Sequence, residues 1–168
     1  MGAGKEDFNE FAAATWPGLV RTAMLLGCSH PDAEDLAQTA LVKCLRSWGR
    51  VQSATDPVAY AHRVLINAHI SNRRRFWHRE EPTAAPPVHD GGAPNGPLHE
   101  DRADIRDALA RLPNDQRVAV VLRYYLDYSE DEMANVQQVA RGTVKSRLSR
   151  ALRSLALDPA LAYDEERL

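Results

Sequence analysis

Residues 128–155 read YSEDEMANVQQVARGTVKSRLSRALRSL, and this stretch decides the fold of the C-terminal half. Ser129 and Glu132 have the spacing of a capping box, which marks the start of a helix. A turn of a few residues separates that short helix from a second one, which is predicted to begin at Arg141 and end near Leu155. Two short helices joined by a tight turn indicate a helix-turn-helix unit.

The second helix of this unit has two chemically distinct sides. The apolar side, expected to face the core, comprises Val144, Leu148, Ala151, Leu152 and Leu155. The opposite side combines small residues with long cations, namely Gly142, Lys145, Ser146, Ser149, Arg150 and Arg153. Small residues let a helix backbone approach the major groove, where Lys and Arg reach phosphates and base edges. A solvated cationic face on a structural helix is the alternative, but the helix-turn-helix spacing favours DNA recognition.

The length of 168 residues, 44% of them hydrophobic, suits one ordinary domain or two small ones. Residues 79–100, REEPTAAPPVHDGGAPNGPLHE, are rich in Pro and Gly and hold too little apolar surface to order themselves, so a flexible linker is predicted there. The predicted domains are residues 1–78 and 101–156, followed by an acidic tail at 157–168. Both halves show helical spacing of apolar residues and no strand alternation, so the predicted fold class is all-α, with two small helical domains.

Three helices are predicted in the N-terminal half. The first spans about residues 8–26, and Pro17 is expected to bend or divide it. The second spans about residues 32–48 and has carboxylates in its first turn, where the helix dipole favours them. The third spans about residues 57–77, with Asp56 as its N-cap and proline at its first position.

The third helix carries a run of cations, and no acidic residue stands between residues 58 and 79. Its candidates for binding a nucleic-acid strand are Arg63, Asn67, Arg73, Arg74, Arg75 and Trp77. Arginines pair with phosphates and bases stack on aromatic rings, which suits a single strand. The alternative is a solvated helix end, where Arg complements the helix dipole. The histidines of this helix lack metal-ligand spacing and are expected to be surface donors: His62, His69 and His78.

Other classes of function lack support in the sequence. The net charge of −2 argues against a general polyanion binder. Cys28 and Cys44 form no CxxC pair and have no suitably spaced His cluster, so no metal site and no cofactor are predicted. They occupy apolar positions and are expected to be buried thiols, with a disulfide between them left open. The chain has no Gly-rich phosphate loop and no nucleophile–base motif, which argues against an enzyme. It has no signal peptide and no membrane-length apolar run, so a cytoplasmic protein with no membrane partner is expected.

The C-terminal stretch resembles region four of the extracytoplasmic-function (ECF) sigma factors of RNA polymerase. The run GTVKSRLSRA is its most specific part, and LPNDQRVAVVLRYY looks like the preceding helix of the same module. In that family the recognition helix binds the −35 promoter element. The resemblance implies −35 contacts from Arg141, Thr143, Lys145, Ser146, Ser149 and Arg150.

The turn departs from the family pattern. Gln137 and Gln138 stand where an apolar residue and glycine are common, and Ala140 stands where serine often caps the recognition helix. A missing glycine strains a turn position of positive φ. A missing cap costs about 1 kcal/mol. We therefore expect a less stable unit, with its DNA-facing residues retained.

Residues 31–48, PDAEDLAQTALVKCLRSW, resemble the part of sigma region two that docks on the polymerase clamp helices. The resemblance implies polymerase contacts from Asp32, Glu34, Asp35 and Gln38, with Asp35 and Gln38 foremost. Trp48 is expected to pack the domain.

Residues 59–79, AYAHRVLINAHISNRRRFWHR, resemble the sigma segment that opens and reads the −10 element. Asn67 matches an asparagine that lies close to the captured base in that family, and an amide can read a base edge because it both donates and accepts. Ser71 stands where the family often has aspartate.

The partners implied by the resemblance are core RNA polymerase, through its clamp helices and flap, and promoter DNA; an anti-sigma factor is a further partner left open. Two other hypotheses remain at this point. A polymerase-independent helix-turn-helix regulator would need only the last domain. A degenerate sigma-like interaction protein would bind polymerase or a regulator without reading DNA, and the atypical turn is its support.

Overall fold

A computed structural model describes residues 3–79 and 100–161; the side chains at positions 3, 5, 74–79, 100–102 and 160 lie outside that description. Throughout these ranges the secondary structure is helical, without a strand, which confirms the predicted all-α class. Contacts between Cα atoms divide the chain into two compact units. Of the predicted linker at residues 79–100, positions 80–99 lie outside the described residues, as do positions 162–168 of the predicted tail at 157–168.

The first unit is built from four helices: α1 (Ala3–Leu25), α2 (His30–Arg46), α3 (Trp48–Gln52) and α4 (Pro57–Arg79). Helix α2 packs along α4, and the short α3 contacts both. The core between them consists of small and branched aliphatic side chains, among them Leu19, Ala23, Leu36, Ala40, Leu41, Val51, Ala61, Leu65 and Ile66. The sequence did not predict α3, because five residues are too few to show a helical period.

Helix α1 continues through Pro17 and is not divided there. Pro17 lacks a backbone N–H and is exposed, while Leu19 and Ala23 beyond it are fully buried. The buried face therefore holds the two halves of the helix on one core and offsets the missing backbone hydrogen bond.

Side-chain caps begin α2 and α4. Ser29 is the N-cap of α2, and its Oγ accepts from the backbone N–H of Asp32 at 3.3 Å. Asp56 Oδ1 accepts from the backbone N–H of Ala59 at 2.9 Å, which confirms the predicted start of α4. Pro57 takes the first position of that helix, where its missing N–H has no intrahelical partner to lose.

The second unit contains α5 (Glu100–Arg111), α6 (Asn114–Val120), a π-helical turn (Val121–Tyr125), α7 (Glu130–Gln137), α8 (Arg141–Ala156) and a 3-10 helix (Pro159–Leu161). Helices α6 and α7 both pack on α8. The core is made of apolar side chains from these helices, chiefly Leu109, Leu112, Val118, Leu122, Met133, Val144, Leu148 and Ala151.

Leu152, predicted to lie on the core-facing side of α8, is instead 43% exposed. It stands at the edge of the apolar side of the helix, and a unit of this size has few elements to cover such an edge. Periodicity alone therefore overestimated the width of the buried stripe on α8.

Candidate functional site

The exposed side of α8 is arranged as the sequence predicts. Arg141 and Lys145 have side chains 57% and 60% exposed, and Ser149 and Arg150 are also exposed. Thr143 and Ser146 are half-buried, and Ser146 Oγ donates to the Thr143 carbonyl at 2.9 Å.

Glycine at position 142 opens space on the exposed side of α8. A Cβ built there meets no atom within 4 Å, so the packing of the described residues does not require glycine. What glycine supplies is room for a backbone or ligand to approach the first turn of α8 from outside.

The turn between α7 and α8 accommodates its unusual residues through side-chain hydrogen bonds. Gln138 has a left-handed backbone, with φ of 56°, the conformation that glycine would adopt without strain. Its Nε2 donates to the Asn135 carbonyl at 2.9 Å, and the Val139 N–H donates to the Ala134 carbonyl at 3.1 Å. These bonds satisfy carbonyls at the end of α7 and support the turn without glycine.

Gln137 is buried and ties α7 to α8. Its Oε1 accepts from Arg147 Nη1 at 2.7 Å, and Arg147 Nε lies 3.2 Å from Asp115 Oδ2. Arg147 therefore faces its own unit and links three helices, unlike its exposed cationic neighbours on α8. Sequence reasoning missed this role, because the partners lie ten and thirty-two positions away along the chain.

The start of α8 lacks a side-chain cap, as expected. Ala140 has extended backbone angles (φ −67°, ψ 149°) and offers no side-chain acceptor. Its carbonyl accepts from Thr143 N–H at 2.9 Å and from Val144 N–H at 3.2 Å. The helix begins in N-cap geometry that serine would complete.

Acidic residues at the start of α7 meet the cations at the start of α8. Glu130 Oε2 accepts from Arg141 Nε at 2.8 Å and lies 3.7 Å from Lys145 Nζ. Asp131 Oδ1 lies 3.5 Å from Arg141 Nη1. The hydrogen bond from Arg141, and then the positive charges of Lys145 and Arg141, lower the pKa of Glu130. The sequence showed that residues 127–132 are acidic but did not show this pairing.

The four residues predicted to contact polymerase lie on the exposed surface of α2. Asp35 and Gln38 are three positions apart and therefore share a helix face. Glu34 Oε1 lies 3.8 Å from His30 Nδ1, one turn earlier. Asp32 is engaged locally, because its Oδ2 accepts from Ser29 Oγ at 2.5 Å beside the N-cap.

Trp48 packs the first unit, as predicted. Its ring centroid lies 5.2 Å from that of Phe8, in an edge-to-face arrangement, and 5.1 Å from that of Phe11. Phe8 is itself buried. This cluster of three aromatic rings packs Trp48, at the start of α3, against the two phenylalanines of α1.

Helix α4 presents a polar stripe along its exposed side. Arg63, Asn67 and Ser71 are spaced by four residues and all three are exposed, whereas Arg73 is half-buried. Arg74, Arg75 and Trp77 lie within α4, and their side chains fall outside the described residues, as does that of His78.

The expectation that His62 and His69 are surface donors is wrong. Both are buried, with 9% and 6% of their surfaces exposed. His62 Nδ1 lies 3.1 Å from Thr22 Oγ1, which donates to the Gly18 carbonyl at 2.9 Å. Because the hydroxyl proton of Thr22 is used, His62 Nδ1 is the donor to it. Burial lowers the pKa of His62, while the charge of Asp56 raises it by less.

Neither cysteine forms a disulfide. Cys44 is fully buried, which raises its pKa, and Cys28 is half-buried with Sγ 3.8 Å from His69 Nδ1. Within residues 3–79 and 100–161, no group of three His, Cys, Asp or Glu side chains is placed to hold a metal ion. Among the described helices, none combines the length and apolar character needed to cross a membrane.

Comparison with known families places both units in one family. Residues 14–79 match the model of sigma-70 region 2, and residues 102–155 match that of sigma-70 region 4. The chain is 34% identical over 155 residues to the RNA polymerase sigma-E factor of Streptomyces coelicolor, covering 89% of this chain and 84% of that one. It is 35% identical over 142 residues to the ECF RNA polymerase sigma factor SigM of Mycobacterium tuberculosis, covering 82% and 69%.

A solved structure resembles most of the chain. The sigma factor RpoE of Bartonella quintana, crystallised with the anti-sigma factor NepR, has a TM-score of 0.64 and 28% sequence identity. The similarity covers 95% of this chain and 99% of RpoE.

Proposed function

This chain belongs to the ECF sigma factors of the sigma-70 family, and from that premise we propose how its residues divide the work of starting transcription. It is an RNA polymerase sigma factor, which acts with core RNA polymerase at promoter DNA. The domain boundaries proposed are residues 1–78 for region 2, 79–100 for a linker, 101–156 for region 4 and 157–168 for an acidic tail.

The polymerase-binding surface proposed is the exposed side of α2, where Asp35 and Gln38 stand side by side. Glu34 adds a carboxylate next to them, and Asp32 both caps the helix and lies at the margin of the surface. Carboxylates and an amide on a rigid helix can accept and donate to polar groups of the polymerase clamp helices. The flap of core RNA polymerase is the proposed binding site for the second unit of this chain.

The −10 surface proposed is the exposed stripe of α4. Arg63 and Asn67 lie on it, and the proposal adds Arg73, Arg74, Arg75 and Trp77 from the C-terminal part of the same helix. Arginines would hold the phosphates of the opened strand while Asn67 reads a base edge and Trp77 stacks on a base.

The −35 surface proposed is the exposed side of α8. Its members combine hydroxyl groups with cations: Arg141, Thr143, Lys145, Ser146, Ser149 and Arg150. Gly142 leaves room for the helix to enter the major groove, and the partly buried Gln137–Arg147 hydrogen bond holds the helix in its unit.

The observation that carries this proposal is the presence of both sigma regions, in order, in one chain. A polymerase-independent regulator would leave residues 14–79 without a role. The degenerate protein is not favoured either, because the unusual turn holds a formed helix-turn-helix with its polar side exposed. We assign the chemistry of RNA polymerisation to the core enzyme and not to this chain. The proposed site of action of the chain is the cytoplasm, where core RNA polymerase works.

Run-off transcription tests the function. Core polymerase with this chain should produce discrete transcripts from genomic fragments, and core polymerase alone should not. Transcripts of identical length and amount with and without the chain would contradict the proposal.

A further inference from the structure

Two of the six proposed −35 contacts are already paired within the chain. Arg141 Nε donates to Glu130 Oε2 at 2.8 Å, and Lys145 Nζ lies 3.7 Å from the same oxygen. Asp131 lies 3.5 Å from the other end of the Arg141 guanidinium. One carboxylate of α7 thus meets two cations on successive turns of α8.

The exposures of these side chains show which partner can leave. The Glu130 side chain is 28% exposed, whereas those of Arg141 and Lys145 are 57% and 60% exposed. The long cations can rotate away towards an external anion, because most of their surface already faces solvent. The carboxylate belongs to the first residue of α7 and is less exposed than either cation.

Glu130 remains ionised around neutral pH. Its pKa is lowered by the hydrogen bond from Arg141 and by the charges of Lys145 and Arg141. It therefore offers a full negative charge to these cations under any condition in which the protein would meet DNA.

The later turn of α8 is different. Arg150 is exposed, and in the described part of the chain no carboxylate forms an ion pair with it. The proposed −35 surface thus has a neutralised first turn and a cationic later part.

We propose that Glu130 determines specificity by competing with DNA phosphates for Arg141 and Lys145. This inference rests on the proposed function of α8. A DNA phosphate must displace the Glu130 carboxylate before either cation contributes to binding. The negative charge of Glu130 also repels the DNA phosphates themselves. Binding to arbitrary duplex, which depends on phosphate neutralisation, is weakened more than binding at a site where Arg150, Ser146 and Ser149 meet base edges.

Glu130→Gln tests the proposal, since the amide oxygen can still accept from Arg141 while the charge is removed. The matched control is Asp107→Asn, which removes one charge from the exposed side of α5; among the described ion pairs, Asp107 is a partner of neither Arg141 nor Lys145. Affinity of the full-length chain for a random-sequence duplex is measured over roughly 50–200 mM salt. Circular dichroism verifies that each variant keeps its helix content.

Glu130→Gln should bind random duplex several-fold more tightly at low salt. The slope of log K against log salt concentration should become steeper, by the amount expected for about one to two additional phosphate contacts. Asp107→Asn should change neither the slope nor the affinity beyond a small effect of net charge. Polymerase carrying Glu130→Gln should also discriminate less between a transcribed promoter and random duplex.

Two results would overturn the inference. One is an unchanged salt dependence and affinity for random duplex. The other is weaker promoter binding with unchanged random binding, which would make Glu130 a positioning residue for Arg141. Failure of the proposed function itself is seen separately, as a lack of transcripts from polymerase with the unaltered chain.

Discussion

Three arginines of α8 have three different environments, although the sequence presents them alike. Arg141 is paired with carboxylates at the start of α7, Arg147 reaches inward to Gln137 and Asp115, and Arg150 stands exposed. Only the last is both outward-facing and without a competing carboxylate in the described residues. The chemistry of an arginine therefore depends on which neighbours the fold brings to it.

At the residue scale, Arg150→Ala should reduce −35-dependent transcription. Loss of a side chain that reaches a base edge costs about 1–3 kcal/mol in discrimination between bases. The measurement is run-off transcription on a promoter and on versions with single changes in its −35 element.

Arg153→Ala is the control for Arg150→Ala, because it removes the same charge from the exposed C-terminal end of α8. It should weaken binding to all sequences alike and leave discrimination intact. Equal effects of the two variants on every promoter would contradict a base-reading role for Arg150.

At the element scale, the turn shows how one motif tolerates unusual residues. Gln138 takes the left-handed position and bonds its own side chain to Asn135, and Gln137 is drawn into the core by Arg147. The expected strain is thus offset by two side-chain hydrogen bonds. The missing cap at Ala140 has no such replacement.

Ala140→Ser should stabilise α8 by about 1 kcal/mol, because the backbone already has N-cap geometry and serine adds an acceptor for the first-turn amides. Hydrogen exchange measured on α8 peptides should slow roughly fivefold. Ala156→Ser, at the other end of α8, places the same residue where no free N–H needs a cap. Equal slowing in both variants would contradict the capping explanation.

The packing of α1 on α4 should be sensitive to pH through His62. Burial lowers its pKa in the folded chain, so the unfolded chain binds the proton more readily. Stability is then complete above the unfolded pKa of about 6.5 and is lost as pH falls below it. All three tryptophans belong to residues 14–79, so their fluorescence reports this unit during urea unfolding.

The free energy of unfolding should fall between about pH 7 and pH 5.5 in the natural chain. His62→Gln, which keeps a donor for Thr22 but does not titrate, should show a flatter dependence. Identical pH dependence in the two chains would exclude His62 as the source.

At the scale of the whole molecule, the proposed function divides the tasks of a sigma factor between two units. Tethering two weak readers on one chain would make the second contact intramolecular, so neither reader would need high affinity alone. The proposed polymerase surface on α2 and the proposed duplex surface on α8 should then be separable by substitution.

Asp35→Ala should weaken binding of the chain to core polymerase by at least about 1 kcal/mol, as expected for a central interface residue. Its binding to random duplex should not fall. Glu10→Ala, which removes a charge from the exposed side of α1, is the matched control. Undiminished polymerase binding by Asp35→Ala would remove that residue from the interface.

Much of the fold followed from local sequence signals. The caps at Asp56 and Ser129, and the apolar spacing along α2, α4 and α8, act within one or two helical turns, so they can be read without knowing the fold. The polar side of α8 and the exposed stripe of α4 followed for the same reason. Pro17 does not divide α1, because Leu19 and Ala23 beyond it are buried in the core of the unit, which only the packing of the helices reveals.

Tertiary structure alone decided the pairings. Glu130 with Arg141, Gln137 with Arg147 and Thr22 with His62 each join separate helices. The sequence by itself determined where the longer helices form and broadly which of their sides are apolar, because these depend on neighbours three and four residues apart. Which cations remain available to DNA, and which histidines are buried, depended on how the helices pack, since that packing sets the distances between charges.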